Sequence, residues 1–206
     1  MEKLLIFPFN GNGLEAIDCI LDQYEFIGFI DDTPEKQGMT KFGFEVFDRE
    51  IIGKYAEAKI LAVPGSPQTF KQRHEIINGL QIPKNRFATV IHPKASISPL
   101  AHIGKNVLLM AGVVVTSNAI ISDHVCILPN SVIHHDSIIG EWTLIGCNVA
   151  IAGHVFVGAN CYIGSGSNVI NGIEIGNGSL LGLGTNLIKS IPANSKVVGN
   201  PAKSIL

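Results

Sequence analysis

An aliphatic residue returns at every sixth position of this chain from Ile91 to Leu187. The series passes through Ile97, Ile103, Leu109 and Val115 and continues without a gap, seventeen positions in all. Helices repeat their faces about every 3.6 residues and strands every second residue, so neither explains a period of six. A parallel β-helix of triangular cross-section does explain it. Each hexad makes one flat side and a turn, and three hexads close one coil. Residues eighteen apart then stack directly.

Two further regularities fit the same architecture. Four residues after the aliphatic position the side chain is usually small or β-branched, as at Ala95, Ala101, Val107, Ala119, Ser131, Thr143, Ser179 and Thr185. Glycine often follows the aliphatic residue directly, as at Gly104, Gly140, Gly158, Gly164 and Gly176. The aliphatic side chain points inward, the small one fits beside it, and glycine accepts backbone angles costly for other residues.

The repeat divides the 206 residues into segments 1–83 and 84–206. With 46% hydrophobic and 16% charged residues the chain is no disordered polymer. Its net charge of −2 gives no electrostatic reason for a nucleic-acid or anionic-membrane partner. No apolar run is long enough to span a membrane, and the first residues lack a signal peptide's basic start and cleavage site, so a cytoplasmic protein is expected. Cys19, Cys126, Cys147 and Cys161 form no CxxC pair and no metal-like spacing with histidine. They read as reduced thiols.

The first segment has another grammar. Lys3-Leu4-Leu5-Ile6-Phe7 reads as a buried strand with Pro8 still inside it, followed by Asn10-Gly11-Asn12-Gly13 and a helix from Leu14 to Leu21. A second strand over 26–30 ends at Asp31-Asp32, and a third over 59–63 ends at Pro64-Gly65-Ser66. This βαβ pattern predicts a small, Rossmann-like parallel sheet, with ligands beyond the carboxyl ends of its strands. Gly11 and Gly13 would let backbone N–H groups approach a phosphate at the helix N-terminus, and an acidic residue after the second strand would accept bonds from a ribose or base. The third glycine of a full fingerprint is missing, and an ordinary strand–helix turn looks the same.

Together the two segments resemble hexapeptide-repeat acyltransferases with a left-handed β-helix, and within these the group of sialic acid O-acetyltransferases and sugar-nucleotide N-acetyltransferases. The residues that carry the resemblance are Gly28-Phe29-Ile30-Asp31-Asp32, the run from Phe87 to Pro93, Met110-Ala111-Gly112, His135-Asp136, and Gly199-Asn200-Pro201-Ala202-Lys203. The resemblance implies a homotrimer with acetyl-CoA in the cleft between neighbouring helices and a nucleotide-linked sugar on the first segment. It implies sugar-nucleotide contacts at Gly11, Asn12, Gly13, Asp31 and Asp32, and acetyl-CoA contacts at Gly153, Ser165, Leu183, Gly184 and Lys203. The chain departs from the group at Leu14 and Glu15, at Leu128-Pro129-Asn130 before the catalytic pair, and at Leu144, where relatives often have histidine.

Acyl transfer from a thioester needs a base to take the acceptor's proton, and histidine titrates in the useful range. A carboxylate beside it fixes the tautomer and stabilises the imidazolium. His135 with Asp136 supplies both partners, at a hexad position that faces outward near a corner. The residue stacked eighteen further on is Gly153, whose missing side chain leaves room for a pantetheine arm. His134 reads as interface or substrate-facing, His92 and His154 as residues that satisfy turns or line the cleft, with surface roles favoured, and Trp142 as packing between subunits. The histidines share no hexad phase of the kind a zinc-dependent site requires, so no metal is expected.

The leading function is therefore acetyl-CoA-dependent acylation of the amino group of a nucleotide-linked amino sugar in surface-glycan synthesis. O-acetylation of a sialic or related nonulosonic acid is the near alternative, because a histidine base serves an amine or a hydroxyl. A non-catalytic nucleotide-sugar-binding scaffold is the alternative of another class, favoured by Leu128 and Leu144.

Overall fold

The computed structural model describes residues 1–20 and 23–205; the expected helix end at Leu21 lies outside them. In the first segment the strands are β1 (Glu2–Phe7), β2 (Tyr24–Ile30), β3 (Gly38–Met39), β4 (Glu45–Phe47) and β5 (Lys59–Ala62). They form one sheet in the order β3-β4-β2-β1-β5, parallel except for the two-residue edge strand β3. Helix α1 (Gly11–Ile20) follows β1, and shorter helices occupy Ile51–Lys54 and Arg73–Asn78. Leu4, Leu5, Ile6, Phe29, Ile30, Ile60 and Leu61 are fully buried, as expected of strands covered on both faces. The expected βαβ core is present, and β3 and β4 are additional. Pro8, expected inside the first strand, instead lies just past β1, where its missing N–H costs the ladder no hydrogen bond.

From Val90 the chain coils into seventeen two-residue strands, one per hexad, ending at Leu187. They stack in parallel with a register of eighteen, Val114 on Val132 and Ile120 on Ile138, into three flat sheets. The repeats and these sheets fit a left-handed β-helix joined to an N-terminal α/β region. The second residue of each strand points inward, and from Leu109 to Leu187 these aliphatic positions are at most 3% exposed. The small positions do more than fit. Ser131 donates its hydroxyl to Gly146 O at 2.7 Å and accepts the Val149 N–H at 3.0 Å. Ser137, Thr143 and Ser167 repeat this arrangement. Each buried hydroxyl thus satisfies a corner carbonyl and an amide that the two-residue strands leave over. Each such bond contributes roughly 0.5–1.5 kcal/mol net.

The first residue of each strand points outward, and its environment differs between sheets. On the sheet containing Leu108, Cys126 and Leu144 these residues are buried beneath the α/β region, packed with Leu4, Ile6, Leu61, Val63 and Phe70. Arg73 fastens the junction. It is wholly buried and donates to Trp142 O at 2.9 Å, His124 O at 2.6 Å and Pro64 O. Burial pulls its guanidinium down to about 10, and it remains charged among carbonyls. Trp142 stacks on His124 and packs against the α/β cluster. The expected packing of Trp142 between subunits is therefore corrected: its corner lies under residues of its own chain. On the other two sheets the outward residues Val114, Val132, Ile120, Ile138 and Phe156 are partly or well exposed.

Candidate active site

His135 and Asp136 lie on the corner joining those two uncovered sheets, between the strands Val132–Ile133 and Ile138–Ile139. Asp136 has a left-handed φ of 58°, as do Asn118 at 59° and His154 at 58°, eighteen residues before and after it. Asparagine and aspartate tolerate this region better than most residues, which lets the corner turn without glycine. The three side chains consequently stand in one column. Asp136 Oδ2 accepts from His135 Nδ1–H at 2.7 Å, and Asp136 Oδ1 accepts from Asn118 Nδ2 at 3.1 Å. These two bonds, that from His135 first, hold the Asp136 carboxyl below the usual carboxylate range. An ionised Asp136 on Nδ1–H leaves the lone pair of Nε2 free to take a proton.

Nε2 lies over Gly153. A Cβ on residue 153 would stand 2.7 Å from both Cε1 and Nε2 of His135. The space expected above the histidine for a pantetheine arm is filled by the imidazole itself, and glycine at 153 is what lets the ring lie there. His154, one coil further on beside Gly153, donates its backbone N–H to His135 O at 3.0 Å. Its ring stands edge-on to that of His135, with Nε2 3.8 Å from Asp136 Oδ2. The eighteen-residue register that sets Gly153 against His135 also sets Asn118 and His154 beside Asp136; of the two, the sequence reading named only His154, as a residue that satisfies a turn or lines the cleft. His134 is exposed beside the pair, and His92 Nδ1 accepts the Lys94 N–H at 2.9 Å, closing a turn as expected.

The residues expected to contact acetyl-CoA do not meet within one chain. Gly153 is on the same corner as His135, whereas Ser165 and Leu183 stack on the corner between the covered sheet and its neighbour. Ser165 Oγ accepts the Cys147 N–H at 3.0 Å, Gly184 follows in a left-handed turn, and Leu183 is 74% exposed. Lys203 belongs to the C-terminal hairpin and lines an apolar cleft of about 480 Å³ with Leu187, Ile188 and Pro201.

At the carboxyl ends of β1 and β2 the expected residues hold different tasks. Asn10 Oδ1 caps α1 by accepting the Gly13 N–H at 2.8 Å, and Gly13 lies so close to Pro8 O that a Cβ would fall 2.6 Å from it. Gly11 begins the helix and is exposed. Asn12 lines a pocket of about 230 Å³ with Gly65, Ser66, Leu128, Leu144 and Tyr162. Asp31 is 3% exposed and turned onto its own loop, accepting from Thr33 N and Lys36 Nζ. Burial pushes its carboxyl up, but the bonds from Lys36 and Thr33 prevail and hold it below the usual range. Asp32 is exposed and paired with Arg49. Lys36, unremarked in the sequence, also donates to Phe9 O at 3.1 Å, placing an ammonium between the two strand ends.

Residues 100–133 and 118–153 match the family model of the bacterial transferase hexapeptide (six repeats). The matched stretch, residues 100–153, lies wholly within the coils. No curated protein sequence matches the chain significantly. Among solved structures, the chain is similar to the acetyltransferase domain of PglB from Neisseria gonorrhoeae in complex with acetyl coenzyme A. The identity is 26%, the match covers 99% of each chain, and the TM-score is 0.86. PerB from Caulobacter crescentus, solved with CoA and GDP-perosamine, has 23% identity, 100% and 97% coverage and a TM-score of 0.86. WeeI from Acinetobacter baumannii has 23% identity, full coverage of both chains and a TM-score of 0.86. The last two share the fold. The likeness extends over the α/β region as well as the repeats.

Proposed function

We propose that this protein is an acetyltransferase that moves the acetyl group of acetyl-CoA to the amino group of a nucleotide-linked amino sugar, with His135 as general base. The observation that carries the reading is the 2.7 Å bond from His135 Nδ1–H to an ionised Asp136, which presents a bare Nε2 at an outward corner. Full-length similarity to an acetyltransferase domain solved with acetyl coenzyme A supports the cosubstrate. In the reaction the acceptor nitrogen attacks the thioester carbonyl while Nε2 takes its proton. The tetrahedral intermediate collapses, the C–S bond breaks, and the imidazolium returns the proton to the CoA sulfur. Asp136 stabilises the imidazolium between these steps.

Residues 1–83 then act as a Rossmann-like domain for the sugar nucleotide and residues 84–206 as the transferase domain. Lys36 and the start of α1, at the ends of β1 and β2, suit a diphosphate, and exposed Asp32 suits a ribose or base better than buried Asp31. A homotrimer accounts for the two uncovered sheets that flank His135: their apolar outward residues gain a partner, and the separated acetyl-CoA contacts come together across the cleft. A cytoplasmic location suits an acetyl-CoA-dependent enzyme with free cysteines. The scaffold reading loses its ground, because Leu144 lies in the covered sheet, Leu128 directly follows one of its strands, and both pack against the α/β region.

The test is thiol release from acetyl-CoA with a panel of UDP-, GDP-, dTDP- and CMP-linked sugars, each with a free amine or hydroxyl. Turnover with an amino sugar, absent in His135→Ala, is expected. Turnover with hydroxyl acceptors alone would move the assignment to O-acetylation. Saturable binding of acetyl-CoA without turnover on any acceptor would reinstate a scaffold.

A further inference from the structure

The corner that holds His135 brings a second imidazole to the same carboxylate. His135, Asp136 and His154 each offer a ligand atom within 4.8 Å of the other two. Asp136 Oδ2 is 2.7 Å from His135 Nδ1 and 3.8 Å from His154 Nε2. Zinc bonds to nitrogen or oxygen run about 2.0–2.2 Å, so ligands at tetrahedral angles stand about 3.4 Å apart. One observed separation is shorter than that and another longer. The side chains are 49%, 36% and 64% exposed and can rotate to share one ion. We propose that His135, Asp136 and His154 form a binding site for a divalent transition ion such as Zn²⁺, and that its occupation switches the base off.

Two imidazoles with one carboxylate favour zinc, copper or nickel over magnesium or calcium. Three ligands leave a fourth position for water. The backbone arrangement preforms the site: Asp136 and His154 occupy equivalent left-handed turns on successive coils, and the His154 N–H to His135 O bond fixes their spacing. In the metal-free protein Nδ1–H donates to Asp136 and Nε2 is bare. An ion on Nδ1 requires that nitrogen to give up its hydrogen, and the neutral imidazole then carries its proton on Nε2. No net proton is released, no electron moves, and Nε2 can no longer accept a proton from a substrate. The inhibition rests on the acetyl-transfer reading; the binding does not.

Calorimetric titration of the full chain with Zn²⁺, and with Co²⁺ as an absorbing probe, tests the site directly. One ion per chain is expected. His154→Ala and His154→Gln should each weaken binding by at least about 100-fold, since even indirect support of a ligand is worth ~10–100-fold. His134→Ala, outside the cluster, should bind as the parent does. Under turnover, the Zn²⁺ concentration that halves the parent rate should leave the rate of His154→Ala unchanged, and chelation should restore the parent. Equal Zn²⁺ affinity in the parent and both His154 variants, with melts confirming that all are folded, would overturn the proposal. Binding lost with His154 in a protein that acetylates nothing would uphold the site and sink the acetyl-transfer reading instead.

Discussion

Gly153→Ala probes the proposed base with one methyl group. The added Cβ would stand 2.7 Å from Cε1 and Nε2 of His135, and ordinary contact begins at 3.4 Å, so the ring must withdraw by the difference. The atoms in the way are the tip of a half-exposed side chain, so the imidazole moves and the coil does not. Gly153 has no left-handed φ, and alanine fits its backbone. A displacement approaching 1 Å at a reacting group costs on the order of 100-fold. The expected fall in kcat is therefore roughly one to two orders of magnitude, about 1.4–2.8 kcal/mol of barrier, with a melting temperature within a few degrees of the parent. The assay is steady-state thiol release beside a thermal melt and acetyl-CoA calorimetry. The decisive arm is the double variant. In a His135→Ala background there is no ring to displace, and Gly153→Ala should cost nothing further. Losses that multiply would show that residue 153 acts independently of the imidazole, through acetyl-CoA, and would refute the seat assigned to the ring.

Three other outcomes can be checked. His135→Ala should lower kcat by about two to four orders of magnitude, Asp136→Asn by less and His134→Ala least, measured by thiol release; a harmless His135→Ala would end the base assignment. Arg73→Met leaves three backbone carbonyls without their donor, at about 1–3 kcal/mol each, partly offset by relief from burying a charge. A net loss of about 3 kcal/mol in denaturant melts is expected, and an unchanged midpoint would contradict the role given to Arg73. His124 is buried, and burial lowers its imidazole from 6.5 to about 4. The unfolded chain therefore takes up this proton first as the pH falls, so stability should drop below pH 6.5 and level off near 4. The loss amounts to about 3 kcal/mol, and His124→Gln should remove that part of the slope.

The β-helix was legible because its inward positions are chosen by one repeated constraint: each coil presents the same three slots, so a period survives in the letters. The strands Glu2–Phe7 and Lys59–Ala62 were equally plain as buried apolar runs. The edge strands Gly38–Met39 and Glu45–Phe47 were not, because two or three residues are too short to show alternation. Trp142 was misjudged because hexad phase says that a side chain faces outward, not what lies outside. Only the fold shows that the α/β region covers that corner. Asp31 and Asp32 looked alike in the sequence, and the structure divides them: one ties its loop to Lys36, the other faces solvent. His135 and Asp136 could be read as a pair from adjacency alone. His154, nineteen residues away from His135, becomes their neighbour only when the coil is drawn.

The hydroxyl bonds between stacked coils also set how far a disturbance travels. On the two uncovered sheets each coil meets only the one above and the one below, whereas on the third the α/β region lies across several coils, from Leu108 to Tyr162. Away from that region coupling is that of a one-dimensional chain, decaying link by link. Substitutions two or more coils apart should then combine additively. The corner at residues 134–137 can be rebuilt without disturbing the terminal coils, and whole eighteen-residue coils are the natural unit of deletion or duplication, since any other length would turn every later side chain onto the wrong wall.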